Sequence, residues 1–182
     1  MPPHPIARLH FSKLAPMDSI SMDFAQFHGK YFLIVVDLES GYTMCAAVPD
    51  QTTETALKFL KVLGNQYGYP SELRSDGGPA FRLSFEAALK KLGISHHTSP
   101  PYVPASNGLA ERGVGIIKSY LYKLGKLQQP ELSKLLYHIN NIPSSTPGAG
   151  SAFFRFCGQM ADWQLFPNCH SISPQKMYVW LG

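Results

Sequence analysis

Long apolar runs are missing from this 182-residue chain: the longest, Tyr31 to Val36, is six residues, against the roughly 18 a membrane-crossing helix needs. That excludes a helical membrane span. The opening stretch MPPHPIARLH has no hydrophobic signal core, so secretion is not expected. Cysteine is scarce, with only Cys45, Cys157 and Cys169, far apart and outside any C-x-x-C or Cys/His metal spacing. Neither a disulfide framework nor a zinc site follows, and free thiols in a reducing compartment are expected. Charge is sparse too, at 15% of residues, and there are no internal repeats or low-complexity tracts. What remains is 45% hydrophobic and 12% aromatic, a composition that suits one packed α/β domain.

The net charge of +4 is unevenly placed: residues 1–98 hold nine Lys/Arg against nine Asp/Glu, and residues 99–182 hold seven against three. The whole excess therefore sits in the second part, where Arg112, Lys118, Lys123 and Lys126 cluster. A basic helix face is compatible with a phosphate backbone as partner.

Residues 1–17, with four prolines, read as an extended leader. From Asp18 the pattern becomes regular. Ser19 to Ala25 alternates, with Ile20, Met22 and Phe24 on one face and Ser21 and Asp23 on the other. His28-Gly29 turns into a dense strand, Lys30 to Asp37, expected to be central in the sheet. Ser40-Gly41 turns again into a third strand, Tyr42 to Val48, giving an antiparallel meander. Thr52 or Thr53 caps a helix whose buried stripe is Ala56, Leu57, Phe59, Leu60 and Leu63, ended by Gly68 and Pro70. Glu72 to Ser75 is a brief strand, followed at once by the tight turn Asp76-Gly77-Gly78-Pro79. Ser84 to Leu92 is a helix closed by Gly93, and Ile94 to Thr98 a fifth strand.

The proline-rich loop from Ser99 leads into a helix starting near Ser106 or Asn107 and stopping at Gly125. Its apolar stripe is Leu109, Gly113, Ile116, Ile117, Tyr120, Leu121 and Leu124; Asn107, Glu111, Gly115, Lys118 and Tyr122 line the opposite stripe. Glu131 to Asn141 is a further helix and Ala152 to Phe156 a short one. The order β-β-β-α-β-α-β-α-α implies a mixed sheet covered by helices on both faces. The expected layout is a leader at 1–17, a core at 18–160 and a weakly patterned tail at 161–182.

Three acids fall in informative places. Asp23 points off the polar face of the first strand, Asp76 follows the end of the fourth, and Glu111 stands on the polar stripe of the later helix. If the first and fourth strands are neighbours, Asp23 and Asp76 share one rim, and the helix brings Glu111 to it. Three hard oxygen donors suit Mg2+ or Mn2+ rather than zinc. Two such ions can activate a hydroxyl and stabilise the leaving oxygen of a phosphodiester. Each acid also has a plainer reading, as a solvent-facing strand residue, an Asp-Gly turn or a solvated helix charge. Asp37 is a further acid in the region, better explained by the chemistry of the turn it enters.

The blocks SISMDF, GKYFLIVVDLESGY, LRSDGGPAF, GISHHTSPPYVPASNGLAER and NNIPSSTPGAGSAFFRFCG resemble, in order, the catalytic core of retroviral and retrotransposon integrases, most closely Ty3/gypsy-type elements. They span Asp18 to Gly158, with 52 residues between Asp23 and Asp76 and 34 between Asp76 and Glu111. The resemblance implies an RNase H-like fold, a five-stranded mixed sheet flanked by helices. It implies a two-metal polynucleotidyl transferase that trims element DNA ends and joins them to target DNA. Asp23, Asp76 and Glu111 would be its metal-binding catalytic triad, with two Mg2+ or Mn2+ ions. Lys118, Tyr102, Ser106, Asn107 and Arg112 would contact double-stranded DNA. A homodimer or higher oligomer in the nucleus is expected on the same ground.

Departures from the family pattern are Val103 and Ala105 in the loop, Gly113 and Gly115 in the helix, and Ser151-Ala152 in place of Ser-Pro. They favour a second reading, a domesticated core retained as a DNA- or protein-binding module. A nuclease acting only by hydrolysis is a third.

Overall fold

The computed structural model describes residues 16–98, 114–120, 122, 129–143 and 150–162. Its centre is a five-stranded sheet in the order β3-β2-β1-β4-β5. The strands are β1 (Ser19–Phe27), β2 (Lys30–Asp37), β3 (Thr43–Val48), β4 (Glu72–Ser75) and β5 (Ser95–Thr98). β1, β2 and β3 form the antiparallel meander, and β4 and β5 pair parallel to β1 and to each other. The middle position belongs to β1 rather than to β2, because the crossover strand β4 adds on the far side of β1. β2 is still interior, which is why Phe32 to Asp37 is buried on both faces.

The first hairpin closes in two residues, His28 and Gly29, with Phe27 opposite Lys30. Both turn residues have positive φ, 45° and 73°, the primed turn whose twist matches that of the strands. Helix α1 (Thr53–Tyr67) starts at Thr52, whose hydroxyl accepts from Thr55 N–H, and stops at Gly68 with φ 89°. A short 3-10 turn (Pro79–Phe81) and α2 (Ser84–Lys91) follow. Residues 114–120 and 122 are helical and are called α3; α4 (Gln129–Asn141) and α5 (Ala152–Asp162) complete the described chain. α5 runs past the expected Phe156 boundary. Phe156 stacks on Tyr42 at 4.4 Å and meets Tyr67 edge-on at 5.7 Å, so docking of this helix outweighs the roughly 1 kcal/mol that Gly158 costs a helix.

Period-2 alternation splits the core in two. Ile20, Met22, Leu33 and Val35 face α1, α2 and α5 with Leu60, Phe85 and Phe156. Phe32, Ile34, Val36 and Cys45 face α3 and α4 with Ile117, Leu132, Leu135 and Leu136. The sheet is thus covered on both faces. Burial pushes the Cys45 thiol up to about 12, so it stays protonated and unreactive. Within α3 the inward residues are Val114 and Ile117, whereas Tyr120, expected on the buried stripe, is 43% exposed. Tyr122, expected on the polar stripe, lies edge-on to Phe27 at 4.7 Å. The seam is centred on Ile117 and is narrower than the sequence pattern suggested. Among the described residues no helix is long and apolar enough to cross a membrane.

Candidate active site

Because Ile20 and Met22 turn toward α1 and α2, alternation directs Asp23 to the other face, the one α3 covers. The parallel register pairs Met22 with Ser75; one step further along both strands sets Asp76 beside Asp23, at the roughly 4.8 Å spacing of neighbouring strands. Asp76 follows the last residue of β4 and is exposed, while Asp23 is half-buried.

The glycine turn holds Asp76 in a defined pose. Its Oδ1 accepts from Gly78 N–H at 3.0 Å, and a Cβ at Gly78 would sit 2.8 Å from that oxygen. Gly78 has φ −61° and ψ 157°, so a larger residue here would strain no backbone but would push the carboxylate out of this pose. The backbone is fixed from the other side: Ser75 Oγ donates to the Asp76 carbonyl at 2.9 Å and lies 2.8 Å from His96 Nε2 on β5. Burial lowers the pKa of His96, which favours the neutral ring next to this buried hydroxyl. Ser75 and His96 are partners that the sequence reading missed. Only the β4/β5 register, with Leu73 opposite His96, reveals the contact.

Asp23 accepts a hydrogen bond and ion pair from Lys118 Nζ at 2.7 Å, 95 positions along the chain. The Asp23 side chain is 21% exposed and that of Lys118 45%. Burial pushes the Asp23 carboxyl above its ordinary range; Lys118 pulls it back down, and the negative charge of Asp76 adds to the rise. Of the sequence-derived candidates, Asp23, Asp76 and Lys118 therefore meet at one rim. Glu111, Arg112, Tyr102, Ser106 and Asn107 lie outside the described residues. Among the described residues no three His, Cys, Asp or Glu side chains gather closely enough to hold a metal ion. Two neighbouring carboxylates, one of which already draws an ammonium to 2.7 Å, have the donor chemistry of a hard-metal site, with a third oxygen donor still needed from elsewhere.

Asp37 has a different setting. It is fully buried and its carboxylate accepts from Met17 N–H, Ser40 N–H and Ser40 Oγ at 3.2, 2.9 and 2.5 Å. That is the turn chemistry expected of it. A shallow groove of about 460 Å³ lies on α1, lined by Thr53, Glu54, Leu57, Lys58, Lys61 and Ser84, and includes none of these acids.

Residues 13–104 match the family described as Integrase core domain. Among curated proteins, the chain is 34% identical over 136 residues to an uncharacterized protein of Caenorhabditis elegans, covering 72% of this chain and 11% of that protein. It is 30% identical over 138 residues to the Gag-Pro-Pol polyprotein of sheep pulmonary adenomatosis virus, covering 71% and 8% respectively. The chain thus spans about a tenth or less of the length of these relatives. Two solved structures share the architecture. The catalytic core domain of BIV integrase is 23% identical, with TM-score 0.66, over 81% of this chain and 99% of that one. A simian T-cell lymphotropic virus intasome in complex with a PP2A regulatory subunit is 28% identical, with TM-score 0.63, over 86% of this chain and 60% of that one. The sheet order and the two-sided helical cover are those of an RNase H-like fold, and with the family match they make this chain a retroviral or retrotransposon integrase catalytic core.

Proposed function

We propose that the chain is a divalent-metal-dependent DNA integrase core, with Asp23, Asp76 and Glu111 as the metal-holding acids. The observation that carries this reading is the Lys118–Asp23 contact. It ties the polar stripe of α3, on which the sequence sets Glu111 two turns before Lys118, to the rim where Asp23 and Asp76 stand side by side. When bound, Mg2+ or Mn2+ supplies charge neutralisation at the phosphodiester and an activated oxygen nucleophile. The residues' own work is positioning. The β1/β4 register sets the spacing of the two carboxylates, the Gly78 N–H aims Asp76, and the Ser75–His96 contact holds its backbone. Carboxylates at one rim repel each other, so the site is less stable without a cation than with one.

The partners in this reading are double-stranded element ends and target DNA, bound through Lys118, Arg112, Tyr102, Ser106 and Asn107. The intasome neighbour supports assembly as a dimer or larger oligomer, and the place of action is the nucleus. Gypsy-type membership and the sequence of trimming then joining belong to the same proposal.

A labelled element-end duplex incubated with the protein and Mn2+, beside a Glu111→Gln variant, tests it. Trimming and joining by the unaltered protein, lost in the variant, are expected. Neither trimming nor joining, with duplex binding retained, would replace the enzyme with the domesticated binding module that Val103 and Ala105 favour.

A further inference from the structure

Lys118 belongs to the proposed DNA-contact set, yet its ammonium is spent inside the protein, on the carboxylate that would otherwise be the least hydrated ligand of the site. The geometry points to Lys118 as an internal counter-ion that competes with the divalent cation for Asp23, so that loading the metal requires the ammonium to leave and frees it for an anion in front of the site. This inference rests on the proposed metal-holding role of Asp23 and Asp76.

Asp23 is only 21% exposed and is close enough to Asp76 to feel its charge. Two negative charges at that separation need compensation, and Lys118 supplies one positive charge at 2.7 Å. Asp23 and Asp76 would hold a divalent cation that supplies two positive charges, so the ammonium would no longer be needed at Asp23. Lys118 can yield at small cost. Its side chain is 45% exposed, it is carried on a helix anchored independently by Ile117 in the core, and it rides on a flexible four-carbon stem. Asp23 cannot move in the same way, being mid-strand and opposite Ile34. The lysine is therefore the mobile member of the pair.

Lys118→Gln keeps most of the stem and removes the charge. By calorimetric titration with Mn2+ alone, the variant should bind the ion roughly two- to fivefold tighter than the unaltered chain, the factor expected for releasing a partly exposed ion pair. Its metal-free melting temperature should fall, while the rise in melting temperature on adding Mn2+ should grow. A second readout needs no variant at position 118: labelling of the Lys118 amine by an amine-reactive reagent should increase when Mg2+ is added. Equal or weaker Mn2+ binding by Lys118→Gln, with binding abolished in Asp23→Asn, would overturn the competition and leave the metal site standing. Mn2+ binding that neither Asp23→Asn nor Asp76→Asn alters would remove the metal reading itself, and this inference with it.

Discussion

Asp23 and Asp37 sit on the neighbouring strands β1 and β2, Asp37 opposite Ile20, and burial pushes both carboxyls above their ordinary 3.8. Three protein donors hold Asp37, whereas Asp23 has the Phe24 backbone N–H, one half-exposed lysine and an acidic neighbour. The first arrangement closes a turn; the second leaves an anion in want of a cation. A carboxyl raised in the folded state contributes stability that is fully present below its unfolded pKa and is lost as pH rises through the folded value. Metal-free Asp23→Asn should therefore melt close to the unaltered chain near pH 4 and above it near pH 7, a comparison that thermal melts in chelator would check. A variant that melts lower at pH 7 would mean that Lys118 more than compensates the buried charge. Much at this scale was legible. Alternation set Asp23 opposite Met22, and the Asp-Gly-Gly run marked the turn that aims Asp76. The partnership of Lys118 with Asp23 was not legible, because a contact between residues 95 positions apart depends on where a helix lands and not on local pattern.

At the scale of elements, α4 packs on the sheet through Leu132, Leu135 and Leu136 and is also hydrogen-bonded to it by one side chain. Asn140, fully buried, accepts from Thr43 N–H and donates to the Thr43 carbonyl, both at 2.8 Å, standing in for the next strand along the β3 edge. Asn140→Ala would orphan both backbone groups of buried Thr43 and should cost about 2–4 kcal/mol in urea unfolding. Nothing in the sequence marked Asn140, since an asparagine near a helix end reads as a cap. Gly115 makes the opposite case. It is exposed in α3, and a Cβ there would meet nothing within 4 Å. Gly115→Ala should raise stability by about 1 kcal/mol in the same measurement. The strand edges and the caps of α1 followed from propensity and turn chemistry. The length of α5 did not, because its continuation depends on Phe156 finding Tyr42 and Tyr67 across the fold.

For the whole molecule, five strands with α1, α2 and α5 on one face and α3 and α4 on the other make a rigid plate. Its central strand carries one candidate ligand, and the strand beside it leads directly into the next. The element order implied a mixed sheet, but the order β3-β2-β1-β4-β5, which makes β1 and β4 neighbours, entered the sequence reading only as a condition. That adjacency is what turns two distant acids into a pair. The central claim is that this pair, completed by Glu111, holds a divalent cation. Anomalous scattering from a crystal of the protein grown with Mn2+ tests it most directly. The account predicts a peak bridging the carboxylates of Asp23 and Asp76, with Glu111 in the same coordination shell and Lys118 withdrawn. Manganese bound elsewhere, with the Lys118–Asp23 pair intact and the rim vacant, would contradict it.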